Sequence, residues 1–310
     1  MTAAMKPLFS SLTPGYKIAW LFLFLLIGVI TAGILTNLIL MIPGVDGGEG
    51  VTAIYVGSVM QSVVGTALPA YFIAVLTHPA PVRYLKMTAN GRMGEKMIFA
   101  VLAFIFSYCL ASFLSQWNKG MELPAFMDEV EQVLRSMEDA ALETTGLLLS
   151  GKTIGSLILN LIIVAGLAAV SEEMFFRGAL QQFIQEKFPN GHLAVWITAL
   201  VFSLVHFQFW GFLPRLLLGA LLGYLFLYTR NLWAPILFHF VNNAFIIVLH
   251  YFWGGTRWMS AIEEMPVDGW FALVASASAL CTVLLFGRYR RALRVGEQQA
   301  AGLGEWANEE

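Results

Sequence analysis

Eight apolar runs take up most of the sequence, at residues 18–42, 52–77, 96–117, 153–184, 192–209, 211–229, 232–253 and 268–287. A helix needs about 20 mostly apolar residues to cross the hydrocarbon core of a bilayer. Runs of this length joined by short connections point to an all-α polytopic membrane helix bundle of about eight transmembrane helices. Composition agrees: of 310 residues, 58% are hydrophobic and 12% charged, with a mean hydropathy of +0.72. Soluble domains are about 25% charged, so the length is not divided into soluble domains. The net charge of −2 carries no signal for nucleic acid, which is not expected as a partner. The first run is too long for a signal-peptide core and reads as a retained helix. Cys109 and Cys281 both fall inside apolar runs and read as small hydrophobes.

Lysine and arginine placement sets the expected orientation. With the N-terminus inside and eight alternating helices, 13 of the 18 basic residues fall on the inner side. Both termini are therefore expected to be cytoplasmic. Residues 119–152 break the pattern of short connections. They carry Glu122, Asp128, Glu129, Glu131, Glu138, Asp139 and Glu143, and their apolar residues Phe126, Met127, Val130, Val133, Leu134, Met137 and Ala141 recur at helical spacing. The expectation is an amphipathic helix packed on the external mouth of the bundle. Without a basic face it is poorly suited to anionic lipid. The organisation expected is three helices plus this segment over 1–150, a helical core over 151–287, and a basic then polar tail over 288–310, with the polar part from Val295 disordered.

The fourth run carries Glu172, Glu173 and Arg177 near its middle. A charge at the centre of a bilayer costs at least ~2.5–3.5 kcal/mol, so these three need partners within the bundle. Glu173 and Arg177 are four apart and share a helix face, which predicts a structural ion pair. Glu172 lies about 100° around the helix and is left as a desolvated carboxylate able to exchange a proton.

The partners available are His206, toward the end of the fifth run, and His239 and Asn243 on the seventh. His239 and Asn243 are four apart on one face, an imidazole and an amide able to hold a water or a developing oxyanion. Asn242 is expected to point elsewhere and to hydrogen-bond to a neighbouring helix. Intramembrane ionisable residues usually face one another or a wet cavity. These cluster on three helices between 172 and 243, so the second half carries a buried site and the first half supports it. Convergence is demanding: counted from the cytoplasmic ends, Glu172 is about 12 residues deep, His206 about 14 and His239 about 7. At ~1.5 Å per residue these differ by up to ~10 Å, which tilt or displaced helix ends must absorb.

A carboxylate and a histidine beside a water form a general-base pair. No serine or cysteine stands at nucleophile spacing from a histidine, so water is the expected nucleophile and hydrolysis the expected reaction. A zinc version would use Glu172, His206 and His239 with an open fourth position, although the usual His-Glu-x-x-His signal is absent. The cofactor is thus none or Zn2+. Two other readings stay open. One is a scaffold or immunity-type protein that acts by binding. The other is an ion-coupled transporter, which would favour inverted repeats and broken helices; no repeat is visible, and Pro214 and Pro235 are the candidate breaks.

Three motifs resemble those of the CPBP family (CAAX proteases and bacteriocin-processing enzymes, also called Abi). They are Glu172-Glu173-x-x-x-Arg177, Phe202-x-x-x-His206 and His239-x-x-x-Asn243, covering about residues 165–250. The resemblance implies an eight-helix intramembrane endopeptidase whose eukaryotic relatives trim prenylated C-a-a-X proteins. It implies that Glu172 activates water with help from His206, that His239 and Asn243 stabilise the oxyanion, and that Glu173 and Arg177 support the site. The implied partners are the bilayer and a peptide or protein substrate, lipidated or not.

Overall fold

The computed structural model describes residues 6–43, 45, 50–89 and 91–306. Among these residues every regular element is helical. Seven helices are long and apolar enough to cross a membrane, and an eighth apolar helix is shorter. The chain is thus an all-α, polytopic integral membrane protein.

The spanning helices are α1 (Pro14–Leu40), α2 (Val51–Thr77) and α3 (Met93–Lys119), followed by an amphipathic α4 (Asp128–Leu149). The second half holds α5 (Ile154–Lys187), the short α6 (Gly191–Leu204), α7 (Phe212–Thr229) and α8 (Trp233–Trp253). A small α9 (Arg257–Glu263) precedes α10 (Gly269–Trp306). The run expected at 192–209 is cut short, because α6 ends at Leu204 and residues 205–208 turn before α7. The expected disorder from Val295 is not what the backbone shows: α10 continues to Trp306. After Val295 the tail carries Glu297, Gln298, Gln299, Ala300 and Ala301, all good helix formers. Pro214 and Pro235 fall in the first turns of α7 and α8, where proline is tolerated, so neither breaks a helix.

Two helices depart from regular α geometry, both near the polar residues. α2 passes through π-helical turns over Gln61–Ala67, just before Pro69, whose ring cannot accommodate the carbonyl four residues back. α1 crosses this stretch at Gly28, where a Cβ would lie 2.7 Å from the Val64 carbonyl oxygen and 2.9 Å from Pro69 Cγ; only glycine permits that approach. α5 contains two π-helical stretches, Leu161–Leu167 and Met174–Gln181, the second beginning directly after Glu173. Single π turns inside α-helices are frequent at functional sites.

α5 is the buried centre. Phe175, Ala179, Leu180 and Phe183 on it are fully or almost fully buried, in one apolar cluster with Leu21 of α1 and Ile73 of α2. A second cluster joins α3, α7 and α8 through Phe99, Phe104, Leu225 and Phe238. α6 and α7 pack closely where Gly219 faces Ala199, with a Cβ at 219 placed 3.1 Å from Ala199 Cα. Gly219 and Gly223 form a small-x-x-x-small stripe that lets helices approach in a membrane. Their carbonyls accept hydrogen bonds from Arg177 Nη2 at 2.9 Å and Gln181 Nε2 at 3.1 Å, so α5, α6 and α7 meet along one seam.

α4 packs beside the α6–α7 turn. Part of its apolar stripe is exposed, including Val130, Val133 and Met137, as is Phe126 just before it. The face turned to the bundle carries Glu138, whose Oε2 accepts from the Trp210 N–H at 3.2 Å, and Thr145, Leu148 and Leu149, which border a central cavity. Arg135 stacks 4.1 Å over the Trp210 ring. The helix is held by polar and aromatic contacts to the α6–α7 turn and by its buried Leu148.

Candidate active site

The buried ion pair expected on α5 is present. Arg177 Nη1 donates to Glu173 Oε1 at 2.8 Å, and both side chains are fully buried. The guanidinium also stacks 4.8 Å over the Phe202 ring. Desolvation of such a pair is compensated only when further hydrogen bonds satisfy it. Arg177 obtains one from the Gly219 carbonyl, and Glu173 obtains one from an unexpected partner: His239 Nδ1 stands 2.9 Å from the same Oε1. Glu173 is therefore not paired with Arg177 alone; it links α5 to α8.

That contact orients His239. A carboxylate oxygen that already accepts from arginine can only accept from the ring, so Nδ1 carries the hydrogen and Nε2 faces away. Nε2 lies 3.9 Å from Glu172 Oε2. Glu172 is the one carboxylate of the pair with access to the cavity, its side chain 27% exposed. His206 is oriented in the same manner. Its Nδ1 donates to the Phe202 carbonyl at 2.7 Å, which leaves Nε2 as its free nitrogen. The spacing Phe202-x-x-x-His206 is thus a local backbone tether, and Phe202 also sets its ring edge-on between His206 and His239, with centroids 5.0 and 6.1 Å away.

Glu172, His206, His239 and Asn243 all line one cavity of about 430 Å³. The residues meet in this cavity despite the depth difference counted along the runs. His206 sits not on a long helix but in the 205–208 turn, next to Phe207, whose φ of +53° is a left-handed conformation rare for an aromatic residue. Backbone strain of this kind clusters at functional sites. Glu172 and His206 also line a second, more apolar cavity of about 690 Å³ bordered by Phe22 and Leu25 of α1, Gln61 of α2 and Phe175. The two residues form the wall between a polar chamber and an apolar one.

Both asparagines line the chamber. Asn243 Nδ2 also reaches the Val164 carbonyl of α5 at 3.4 Å, which occupies one of its two amide hydrogens and leaves the other for the chamber. Asn242, expected to point away, lines the same cavity and donates to Asn243 Oδ1 at 3.2 Å. The π-helical stretch at Leu161–Leu167 brings this part of α5 against α8, which a uniform helix pattern does not foretell. Ser171 and Ser203 donate to the Ala168 and Phe212 carbonyls, so neither hydroxyl is positioned as a nucleophile.

The donor set does not fit zinc as it stands. Both imidazoles use Nδ1 for an outer partner and leave Nε2 free, a pattern common among metal ligands. Yet among the described residues no three His, Cys, Asp or Glu side chains gather closely enough to hold a metal ion.

Two residues of the chamber escaped the sequence reading. Arg215 of α7 lines it, as does Asn160 of α5, which donates to the Leu148 carbonyl of α4 at 2.8 Å and accepts from the Tyr55 hydroxyl. Arg215 falls within the apolar run 211–229, and a cation inside such a run was the available signal.

Residues 154–245 match the model of a family described as type II CAAX prenyl endopeptidase Rce1-like. An uncharacterized protein of Bacillus subtilis (strain 168), YpbD, is 32% identical over 89 residues, which cover 27% of this chain and 42% of that protein. The chain thus spans less than half the length of this curated relative. No solved structure matches. Residues 154–245, which hold every residue of the three motifs, belong to the CAAX-protease (CPBP) family.

Proposed function

We propose that the protein is an intramembrane endopeptidase that hydrolyses peptide bonds of membrane-associated peptides or proteins, with residues 151–287 as its catalytic core. The observation that carries this reading is the convergence on one chamber of a partly open carboxylate and two imidazoles, each imidazole fixed through Nδ1 so that its Nε2 is free.

In this reading Glu172 accepts a proton from water as the water oxygen bonds to the substrate carbonyl carbon. His206 Nε2 accepts a second hydrogen bond from that water and holds its lone pair toward the carbonyl. The negative charge that develops on the carbonyl oxygen is met by Asn243 Nδ2 and by His239, which donates from Nε2 when its ring carries both protons. Glu172 then passes its proton to the departing amine nitrogen as the C–N bond breaks, and the carboxylate is regenerated. Glu173 and Arg177 act at one remove: the pair holds the tautomer and position of His239. A positioned acid or base contributes typically ~10²–10⁴ in rate and an oxyanion donor ~10²–10³. The apolar chamber across the Glu172–His206 wall offers room for the hydrophobic part of a membrane-borne substrate. No step is assigned to a metal, because the donors do not form a ligand set.

The test is cleavage of fluorogenic peptides, prenylated and unprenylated, by purified protein in lipid, comparing wild type with Glu172→Ala and each with and without a chelator. Cleavage that survives the chelator and is lost in Glu172→Ala is the expected result. Loss with chelator and recovery with zinc would replace the mechanism with a metal-assisted one. Equal cleavage by wild type and Glu172→Ala would remove Glu172 from the chemistry.

A further inference from the structure

The polar chamber holds a cation that the chemistry above does not use. Arg215 stands in the first turn of α7 and lines the chamber together with Glu172, His206 and Asn243. Its Nη2 donates to Gln208 Oε1. Its Nη1 is buried and has no hydrogen-bond partner among the described residues. No carboxylate lies within ion-pair distance of it among those residues, since Arg215 takes part in none of the salt bridges. Glu138 of α4, an acid on this side, accepts from the Trp210 N–H through Oε2 and forms no ion pair with Arg215 among the described residues.

A buried guanidinium nitrogen without a partner is costly, and the surroundings hold it in place. The turn before α7 is pinned by Asn118, whose Oδ1 accepts from the Leu213 N–H at 2.7 Å and whose Nδ2 donates to the Phe209 carbonyl at 3.1 Å. Ser203 Oγ donates to the Phe212 carbonyl at 2.7 Å. Gly211 makes room for the head group: a Cβ there would fall 2.9 Å from Arg215 Cζ and nearer still to Nη1. The guanidinium is therefore folded over a residue without a Cβ, in a partly buried chamber where a charged hydrogen bond is stronger than in water.

Resting on the endopeptidase reading, we propose that Arg215 is a specificity-determining residue that binds a carboxylate of the substrate through its free Nη1 edge. Arginine presents a planar fork that matches a carboxylate. Two sources carry that chemistry: the free C-terminus of a peptide, and an aspartate or glutamate side chain beside the cleavage point. With an anion held at Arg215, a peptide has one fixed end in the chamber that contains Glu172.

The experiment uses full-length Glu172→Gln protein in lipid and three labelled peptides of one sequence. The first ends in a free acid, the second in an amide, and the third in an amide with a glutamate near its end. Direct binding is measured, so no cleavage is needed. The free acid should bind about ten- to a hundredfold more tightly than the plain amide, the range of one charge-assisted hydrogen bond, and adding Arg215→Gln should erase the difference. Equal tight binding by the third peptide assigns the site to side-chain carboxylates as well; weak binding assigns it to the C-terminus. A second variant guards against misfolding. Gly211 has φ −108°, which alanine adopts, so Gly211→Ala should keep the backbone while its Cβ displaces the guanidinium, and the acid preference should fall with it. Equal affinity for all three peptides, or a preference that persists in Arg215→Gln, overturns the proposal. Cleavage by wild type without acid preference removes this inference and leaves the endopeptidase; acid preference without any cleavage does the reverse.

Discussion

Glu173 Oε1 and His239 Nδ1 stand 2.9 Å apart, so the carboxylate of the buried ion pair also sets the orientation of a chamber histidine. Stability and geometry are thus carried by one oxygen atom. Glu173→Ala leaves Arg177 charged, fully buried and unpaired, and frees the ring of His239. The expected cost is ~3–5 kcal/mol of folding stability, read as a loss of thermal stability in detergent. Arg177→Ala should cost a similar amount. Unchanged melting of both variants would refute the pairing.

Glu172 is partly open and its carboxylate carries no comparable structural bond. Glu172→Gln should therefore melt within about 0.5 kcal/mol of wild type, as surface-like substitutions do, while peptide cleavage falls by ~10²–10⁴. A variant that loses stability and activity together would place Glu172 among the structural groups.

The seam between α6 and α7 depends on Gly219. A Cβ there meets Ala199 Cα at 3.1 Å and Phe202 Cδ1 at 3.2 Å, and the same Phe202 carries the carbonyl that holds His206. Gly219→Val should destabilise by about 1–3 kcal/mol through overpacking and should reduce cleavage more than stability alone explains. Melting and kcat/KM measured on the same preparation decide this.

The distribution of lysine and arginine predicts that both termini face the cytoplasm. A reporter fused after Arg294 should read cytoplasmic, and an external signal would invert the assignment of every connection.

Much of the fold was legible because the membrane imposes a length on every apolar run. The seven long helices correspond to seven of the eight runs expected, and the eighth failed only in extent. His206 lies outside that helix because Ser203 and Asn118 pin a turn at 205–213, through contacts made across 9 and 91 residues that local periodicity does not record. The pairing of Glu173 with Arg177 was legible because residues four apart on one helix face must meet. The bond from Glu173 to His239 was not, since it joins residues 66 apart. The place of Asn242 in the chamber was not legible for a related reason: a π-helical stretch in α5 sets how that helix meets α8. The amphipathic pattern of α4 was legible as a helix; the grip of Glu138 and Arg135 on Trp210 was not, since Trp210 lies 72 residues from Glu138.

By itself, then, the sequence determined that the chain is a helical membrane bundle and that its polar residues between 172 and 243 must find one another, because an apolar medium tolerates no isolated charge. Only the tertiary structure decided which nitrogen of each histidine is free, which asparagine is tethered, and that Arg215 shares the chamber. Those outcomes depend on contacts between helices distant in the chain, and a side chain's partners across such a contact are set by where helices end, bend and widen.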